Sequence, residues 1–338
     1  RFSEGTIPAF ASAAGTWGSL TATASAKVKV PAVALGSWGA LTATGVAGVK
    51  VRAVMARRDR IMERYSIDLR TIDQRKPPSL LLPVNQLRAE LTLSNCTVVV
   101  FSDAHYFPDL ISTAHKALLT VIKQLKPAAV IANGDVFDGA TTGRHARIGW
   151  AKAPSTKDEL HAVQDRLAEV QKAAPKECKL IRTWGNHDIR FDQKLSGNVP
   201  EYEGISGFAL SDHIPAWKAC WSLMVNGHTM IKHRYHNGIH ATYNNTLKAG
   251  TNIVTGHLHR LTITAWGDYR GRRWGVDTGC LADPDGPQFA YAEDNPSAHC
   301  SGFAVLTFDK AGQLLPPELC EVINDVAYFR GASVAINE

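Results

Sequence analysis

The sequence predicts a layered α/β domain, and three observations carry that reading. Short apolar, β-branched runs alternate with helix-period segments from about residue 93 onward. Polar blocks close several of those runs, as loops do at the ends of buried strands. Apolar residues make up 45% and charged residues 20% of the 338-residue chain, enough for a sizeable core.

The elements follow in order. Thr97-Val-Val-Val-Phe101 has the continuous apolar character of a strand buried on both faces. From Pro108 to Lys126, Leu110, Ile111, Ala114, Leu118, Val121, Ile122 and Leu125 recur at helical spacing. Pro108 suits the first helical position, where no donor is needed. Ala128–Ala132 is a second strand. Residues 155–174 form the clearest helix, with Thr156 and Glu159 as a capping box and Leu160, Val163, Leu167 and Val170 on one face. Lys179–Thr183, Thr229–Lys232 and Asn252–Thr255 are further strands, and residues 261–331 read as mostly antiparallel β.

Two segments precede this body. Residues 1–54 are rich in Ala, Gly, Thr and Val, and Glu4 is their one acidic residue. Gly15-Thr-Trp17-Gly18 recurs as Gly36-Ser-Trp38-Gly39. After the first Trp-Gly, Leu20, Ala22, Ala24, Ala26, Val28 and Val30 alternate with polar side chains, the period of half-buried strands. Two units are too few for a solenoid, so this β-rich appendage is expected to pair with another chain or pack on the following domain. Residues 55–92 read as a connector, a charged helical stretch from Met55 to Tyr65 that Pro77-Pro78 prevents from continuing. Met55 is a candidate internal start, and the leading Arg1 suggests a fragment or a processed product.

Composition bounds the function. The net charge of +6 is compatible with a polyanionic partner. It is dispersed apart from Arg57-Arg58-Asp59-Arg60 and Arg270-Gly-Arg272-Arg273, and a solvated basic surface explains it equally well. Six cysteines without a C-x-x-C pair read as reduced core residues, which points to an intracellular, cytoplasmic protein. No run is apolar and long enough to span a bilayer, and the first residues lack a secretory pattern, so no membrane partner is expected.

The chemistry lies in five polar blocks: Asp103-Ala-His105, Gly134-Asp135-Val-Phe-Asp138, Gly185-Asn186-His187-Asp188, His233, and Gly256-His257-Leu-His259. Each follows the C-terminal end of an expected strand, the edge where α/β sheets bind ligands. They supply carboxylate, amide and imidazole donors without thiolate, a set suited to a pair of divalent transition metals and hence to a metal-dependent hydrolase. His233 competes with His228, His236 and His240, but it directly follows an apolar strand. Asp138 either supports a ligand by hydrogen bonding or caps its loop. Beyond it, Arg144, His145 and Arg147 are candidate substrate-binding residues, because arginine forks match phosphate oxygens; Arg190 is a similar candidate.

In this order the blocks resemble the calcineurin-like metallophosphoesterase superfamily over roughly residues 93–330. Gly279-Cys-Leu281 and Ser301-Gly-Phe303 resemble its bacterial and phage members. The resemblance implies an α/β/β/α sandwich of two mixed sheets in residues 93–338, and phosphoester hydrolysis by a water that bridges two metals. It implies that Asp103, His105 and His259 bind one divalent ion, that Asn186, His233 and His257 bind another, and that Asp135 bridges them. Mn, Fe and Zn all suit these donors. His187 would stabilise the transition state or protonate the leaving oxygen, with Asp188 orienting it. Where the family usually has Gly after the fourth-block histidine, this chain has Arg234. The implied partner is a phosphoester, with nucleotide and nucleic acid among the candidates. The alternative is a structural protein on a phosphoesterase scaffold, anchored into a virion or other assembly by the repeats of residues 1–54.

Overall fold

The structure is a computed structural model that describes residues 87–143, 153–293 and 298–336, together with Thr21–Ala22 and Thr42–Ala43. The chain divides into two units, 1–82 and 83–338. In the first, β1 (Thr21–Ala22) pairs in parallel with β2 (Thr42–Ala43), with Thr21 opposite Thr42. These are equivalent positions of the sequence repeat. The remaining repeat residues, the expected helix after Met55 and the Pro77-Pro78 break lie outside the described residues, as do Arg144, His145 and Arg147.

The second unit holds the strands β3 (Arg88–Leu91), β4 (Cys96–Phe101), β5 (Ala129–Asn133), β6 (Lys179–Thr183), β7 (Lys218–Cys220), β8 (Ser222–Val225) and β9 (Thr229–Ile231). They are followed by β10 (Asn252–Thr255), β11 (Thr262–Asp268), β12 (Gly271–Asp277), β13 (Gly302–Phe308), β14 (Glu318–Ile323), β15 (Val326–Phe329) and β16 (Ala332–Ser333). Its helices are α1 (Thr113–Leu125), α2 (Thr156–Ala173), α3 (Ile189–Asn198) and α4 (Ala241–Ala249). One sheet runs β16-β15-β14-β13-β4-β5-β6-β7 and the other β11-β12-β10-β9-β8-β3. Both are mixed. β4 to β7 are mutually parallel, while β13 is antiparallel to β4. β9, β10 and β12 are parallel, while β11 is antiparallel to β12, β8 is antiparallel to β9, and β3 is parallel to β8.

Period-2 geometry explains the layering. On β4, Val98 and Val100 join Ile131, Leu223, Ile231, Val254 and Leu306 between the two sheets. Val99 and Phe101 point the other way, onto Leu118, Val121 and Ile122 of α1 and Val163 and Leu167 of α2. Helix α4 packs on the outer face of β10–β12. The result is the expected α/β/β/α sandwich.

Three expectations change. Helix α1 begins at Thr113 rather than Pro108, because Ser112 Oγ accepts the His115 N–H as its N-cap. Leu110 and Ile111 are left in an exposed loop. At the start of α2 the cap is Ser155, which accepts from the Asp158 N–H. Glu159 is thereby freed from capping and turned inward, fully buried. Residues 88–91 belong to the second sheet, where β3 pairs with β8, so the expected connector boundary at 92 falls inside this unit. The tail is mostly antiparallel, as expected, with β12 lying parallel to β10.

Ile131 is fully buried between the sheets. Ile131→Ala is expected to lower the unfolding free energy by about 2–5 kcal/mol, measured by denaturant titration. A loss below about 1 kcal/mol would contradict this placement of the core.

Candidate metal centre

The parallel strands deliver their loops to one edge. The loops after β4 and β5 pair through Asp103 N–H to Gly134 O, His105 N–H to Asp135 O and Tyr106 N–H to Val136 O, at 3.0, 3.0 and 3.1 Å. Opposite them, the loops after β9 and β10 join through Gly256 N–H to His233 O at 2.8 Å. Asp103, His105, Asp135, His257 and His259 all adopt left-handed backbone, with φ of 50°, 36°, 54°, 73° and 58°. Each such turn costs on the order of 1–3 kcal/mol, and such conformations concentrate at functional sites. Two glycines are demanded sterically. A Cβ at Gly185 would overlap the Asp135 carboxylate, and one at Gly256 would overlap Ser102 Oγ and Asp103 Oδ2.

Two donor groups result. In the first, Asp103, His105 and His259 converge, with His259 Nε2 3.0 Å from Asp103 Oδ1 and His105 Nε2 3.9 Å from it. In the second, Asp135 meets His233 and His257, with His233 Nε2 3.0 Å from Asp135 Oδ2 and 3.2 Å from Asn186 Oδ1. Asp103 Oδ2 also accepts the His257 N–H, and Asp135 Oδ1 the His187 N–H, both at 2.8 Å. All seven expected ligands thus come together. Among the competing histidines, His233 is buried in the site, whereas His240 is exposed at the start of α4, and the His236 N–H donates to Asn245.

These residues fit a divalent metal. His233 Nδ1–H donates to the Asn133 carbonyl at 2.8 Å and His105 Nδ1–H to Asp138 Oδ1 at 2.9 Å, which leaves both Nε2 lone pairs facing inward. The buried His105 Nε2 has no hydrogen-bond partner. The electrostatics ask for a cation. Burial disfavours a charged Asp103, but the imidazoles of His259 and His233 outweigh it and hold the carboxyl at about 2. Burial opposes a proton on His233, yet the carboxylates of Asp135 and Asp103 outweigh burial and raise it to about 10. Burial and the neighbouring His233 lower His257 to about 4.

The surrounding groups differ from expectation in one respect. His187 is held by Asp138, whose carbonyl lies 2.9 Å and Oδ1 3.0 Å from Nδ1. Asp188 does not orient it. The Asp188 carboxylate is consumed by four backbone N–H groups, those of Asp135, Val136, Phe137 and Gly185, at 3.0–3.1 Å. Arg182, fully buried, lies 3.6 Å from it through Nη1. Asp138 therefore serves both His105 and His187 through one oxygen, a link that the G-D-x-x-D spacing hinted at. Arg190 Nη1 donates to the Asp138 carbonyl at 3.0 Å, and Nη2 lies 3.1 Å from His187 Nε2. Sequence reasoning missed Glu159 and Arg182, because an acid in a first helical turn and a basic residue in a strand carry no signal of burial.

Two outcomes are expected. Asp188→Ala strands a buried guanidinium and four N–H groups and should destabilise the fold by about 3–5 kcal/mol in chemical denaturation; a change under about 1 kcal/mol would refute its role as the loop anchor. Glu159 Oε1 accepts the Ala140 N–H at 3.1 Å, and burial, reinforced by the nearby Asp138 carboxylate, pushes its carboxyl up to about 7. Its folded value exceeds the unfolded one, about 4.3, so the protonated form favours folding. That contribution is full below about pH 4 and is lost as pH rises toward 7. Thermal melts across this range should show Glu159→Gln losing less stability with rising pH than wild type, and identical profiles would count against it.

A model of the calcineurin-like phosphoesterase family matches residues 96–275. No curated protein matches the chain in sequence. Among solved structures, the chain is similar to Vps29 complexed with zinc from Entamoeba histolytica, at 10% identity and TM-score 0.39, over 71% of this chain and 99% of that one. It is similar to an archaeal phosphodiesterase at 13% identity and TM-score 0.33, over 67% and 99%. It is also similar to a protein serine/threonine phosphatase from Saccharomyces cerevisiae, at 11% identity and TM-score 0.34, over 70% and 84%. With more than half of its length matched by that model, the chain belongs to the calcineurin-like phosphoesterase family.

Proposed function

We propose that this chain hydrolyses phosphoesters at a centre of two divalent ions. Asp103, His105 and His259 would hold one and Asn186, His233 and His257 the other, with Asp135 available to both. The observation that carries the reading is the pair of pinned imidazoles, His105 and His233, whose Nδ1–H groups are engaged while Nε2 faces the facing carboxylates. Mn, Fe and Zn suit this donor set, and when bound such ions polarise phosphoryl oxygens and lower the pKa of a coordinated water.

The chain's own groups do the rest. Asp138 fixes the ring of His187 by accepting at Nδ1, which leaves Nε2 to serve the substrate. Burial disfavours a charged His187, but the Asp138 hydrogen bond and the Asp135 carboxylate outweigh it and raise its pKa. Protonated His187 gives its Nε2 proton to the leaving oxygen. Arg190 donates to Nε2 only while the ring is neutral, so protonation releases that guanidinium toward the phosphate. A nucleotide or nucleic acid is compatible with the net charge of +6.

Purified protein supplied with Mn²⁺ should cleave an aryl phosphodiester or monoester. His187→Ala and Asp135→Asn should each lower kcat by about 100-fold or more. Absence of turnover with Mn²⁺, Fe²⁺ and Zn²⁺ across a panel of phosphomonoesters and diesters would overturn the proposal.

A further inference from the structure

Beyond β12 the chain makes an excursion before it returns as β13, and this excursion lies past residue 275, where the family match ends. Its root is tied to the ligand loops on both sides. Leu281 N–H donates to Ser102 O at 2.9 Å and Ala282 N–H to Asp103 O at 3.3 Å. On the returning side, Cys300 N–H donates to His259 O at 2.7 Å, and Ser301 Oγ to Ala282 O at 2.9 Å. Between these ties, Pro287–Ala292 forms a short 3-10 helix.

That helix places an aromatic wall against the first donor group. Phe289 is buried, with its ring centroid 5.5 Å from His105, 5.2 Å from His259 and 5.1 Å from His299. His299 is itself 4.5 Å from His259. Outward from Phe289, at 6.2 Å, stands Tyr291, which is 57% exposed. A tyrosine so exposed contributes little to the core, yet it stands on Phe289, whose ring packs against two expected ligands.

We infer that Tyr291 is a specificity residue: it stacks on a flat aromatic ring attached next to the phosphate, so that the preferred ligand class is nucleotides rather than aliphatic phosphoesters. The inference rests on the phosphoester reading of the centre and deepens it. Rings stack on aromatic side chains without sequence readout, and such contacts suit a wall with no polar code.

The test compares adenosine 5′-monophosphate with ribose 5-phosphate, which share the phosphate and sugar and differ in the base. Calorimetric titration of the full chain loaded with Mn²⁺ should show the nucleotide binding about tenfold tighter. Tyr291→Ala should bring the nucleotide down to the affinity of ribose 5-phosphate, and Tyr291→Phe should restore the preference. Equal affinities in wild type, or a preference that survives Tyr291→Ala, overturns the inference while leaving the phosphoester reading intact. An equal loss of both ligands in Tyr291→Ala makes the residue structural and also overturns it. Failure of wild type to bind either phosphate removes the reading of the centre and this inference with it.

Discussion

The centre depends on one buried carboxylate that does no chemistry. Asp188 gathers the N–H groups of Asp135, Val136, Phe137 and Gly185, and so joins the loops after β5 and β6 at a single point. Arg182 beneath it balances the charge in a layer where neither group reaches solvent. Asp135 Oδ2 and Asn186 Oδ1 then both meet His233 Nε2, and the second donor group follows from that.

The same edge stores backbone strain. Five expected ligands leave their strands in left-handed conformation, a geometry that Asp and His tolerate better than most residues. The turn folds each side chain back over the sheet edge instead of letting it continue along the strand. Five unfavourable turns in one cluster persist only because strand pairing on both sides over-determines them. A cation bound there would take the place of the proton that the carboxylates of Asp135 and Asp103 draw onto His233.

Much of this was legible in the chain. The run Thr97–Phe101 announced a strand buried on both faces, and the structure places Val98 and Val100 against one layer and Val99 and Phe101 against the other. Gly185 and Gly256 sat in their motifs because a side chain there would collide with Asp135 or Asp103. Less legible were local starts and stops. Pro108 offered the helix start, whereas Ser112, which donates to the Leu281 carbonyl and accepts the His115 N–H, caps the helix four residues later. Glu159 carried the signature of a capping box but was one position out of phase with the true cap at Ser155, which turned it inward. The aromatic wall of Phe289, His299 and Tyr291 carried no signal, since its members lie outside any polar block.

By itself the sequence determined the donor inventory and its delivery. Carboxylates, amide and imidazoles stand one or a few residues beyond apolar strands, and strands of that kind can only be buried in a sheet with their ends at one edge. The tertiary structure decided how those groups pair. Asp138, not Asp188, became the partner of His187, and His233, not His236 or His240, entered the centre. The reason is physical: these partners come from different loops, far apart in the chain. Which hydrogen bond forms between them is set by strand order and register, and no local pattern encodes either.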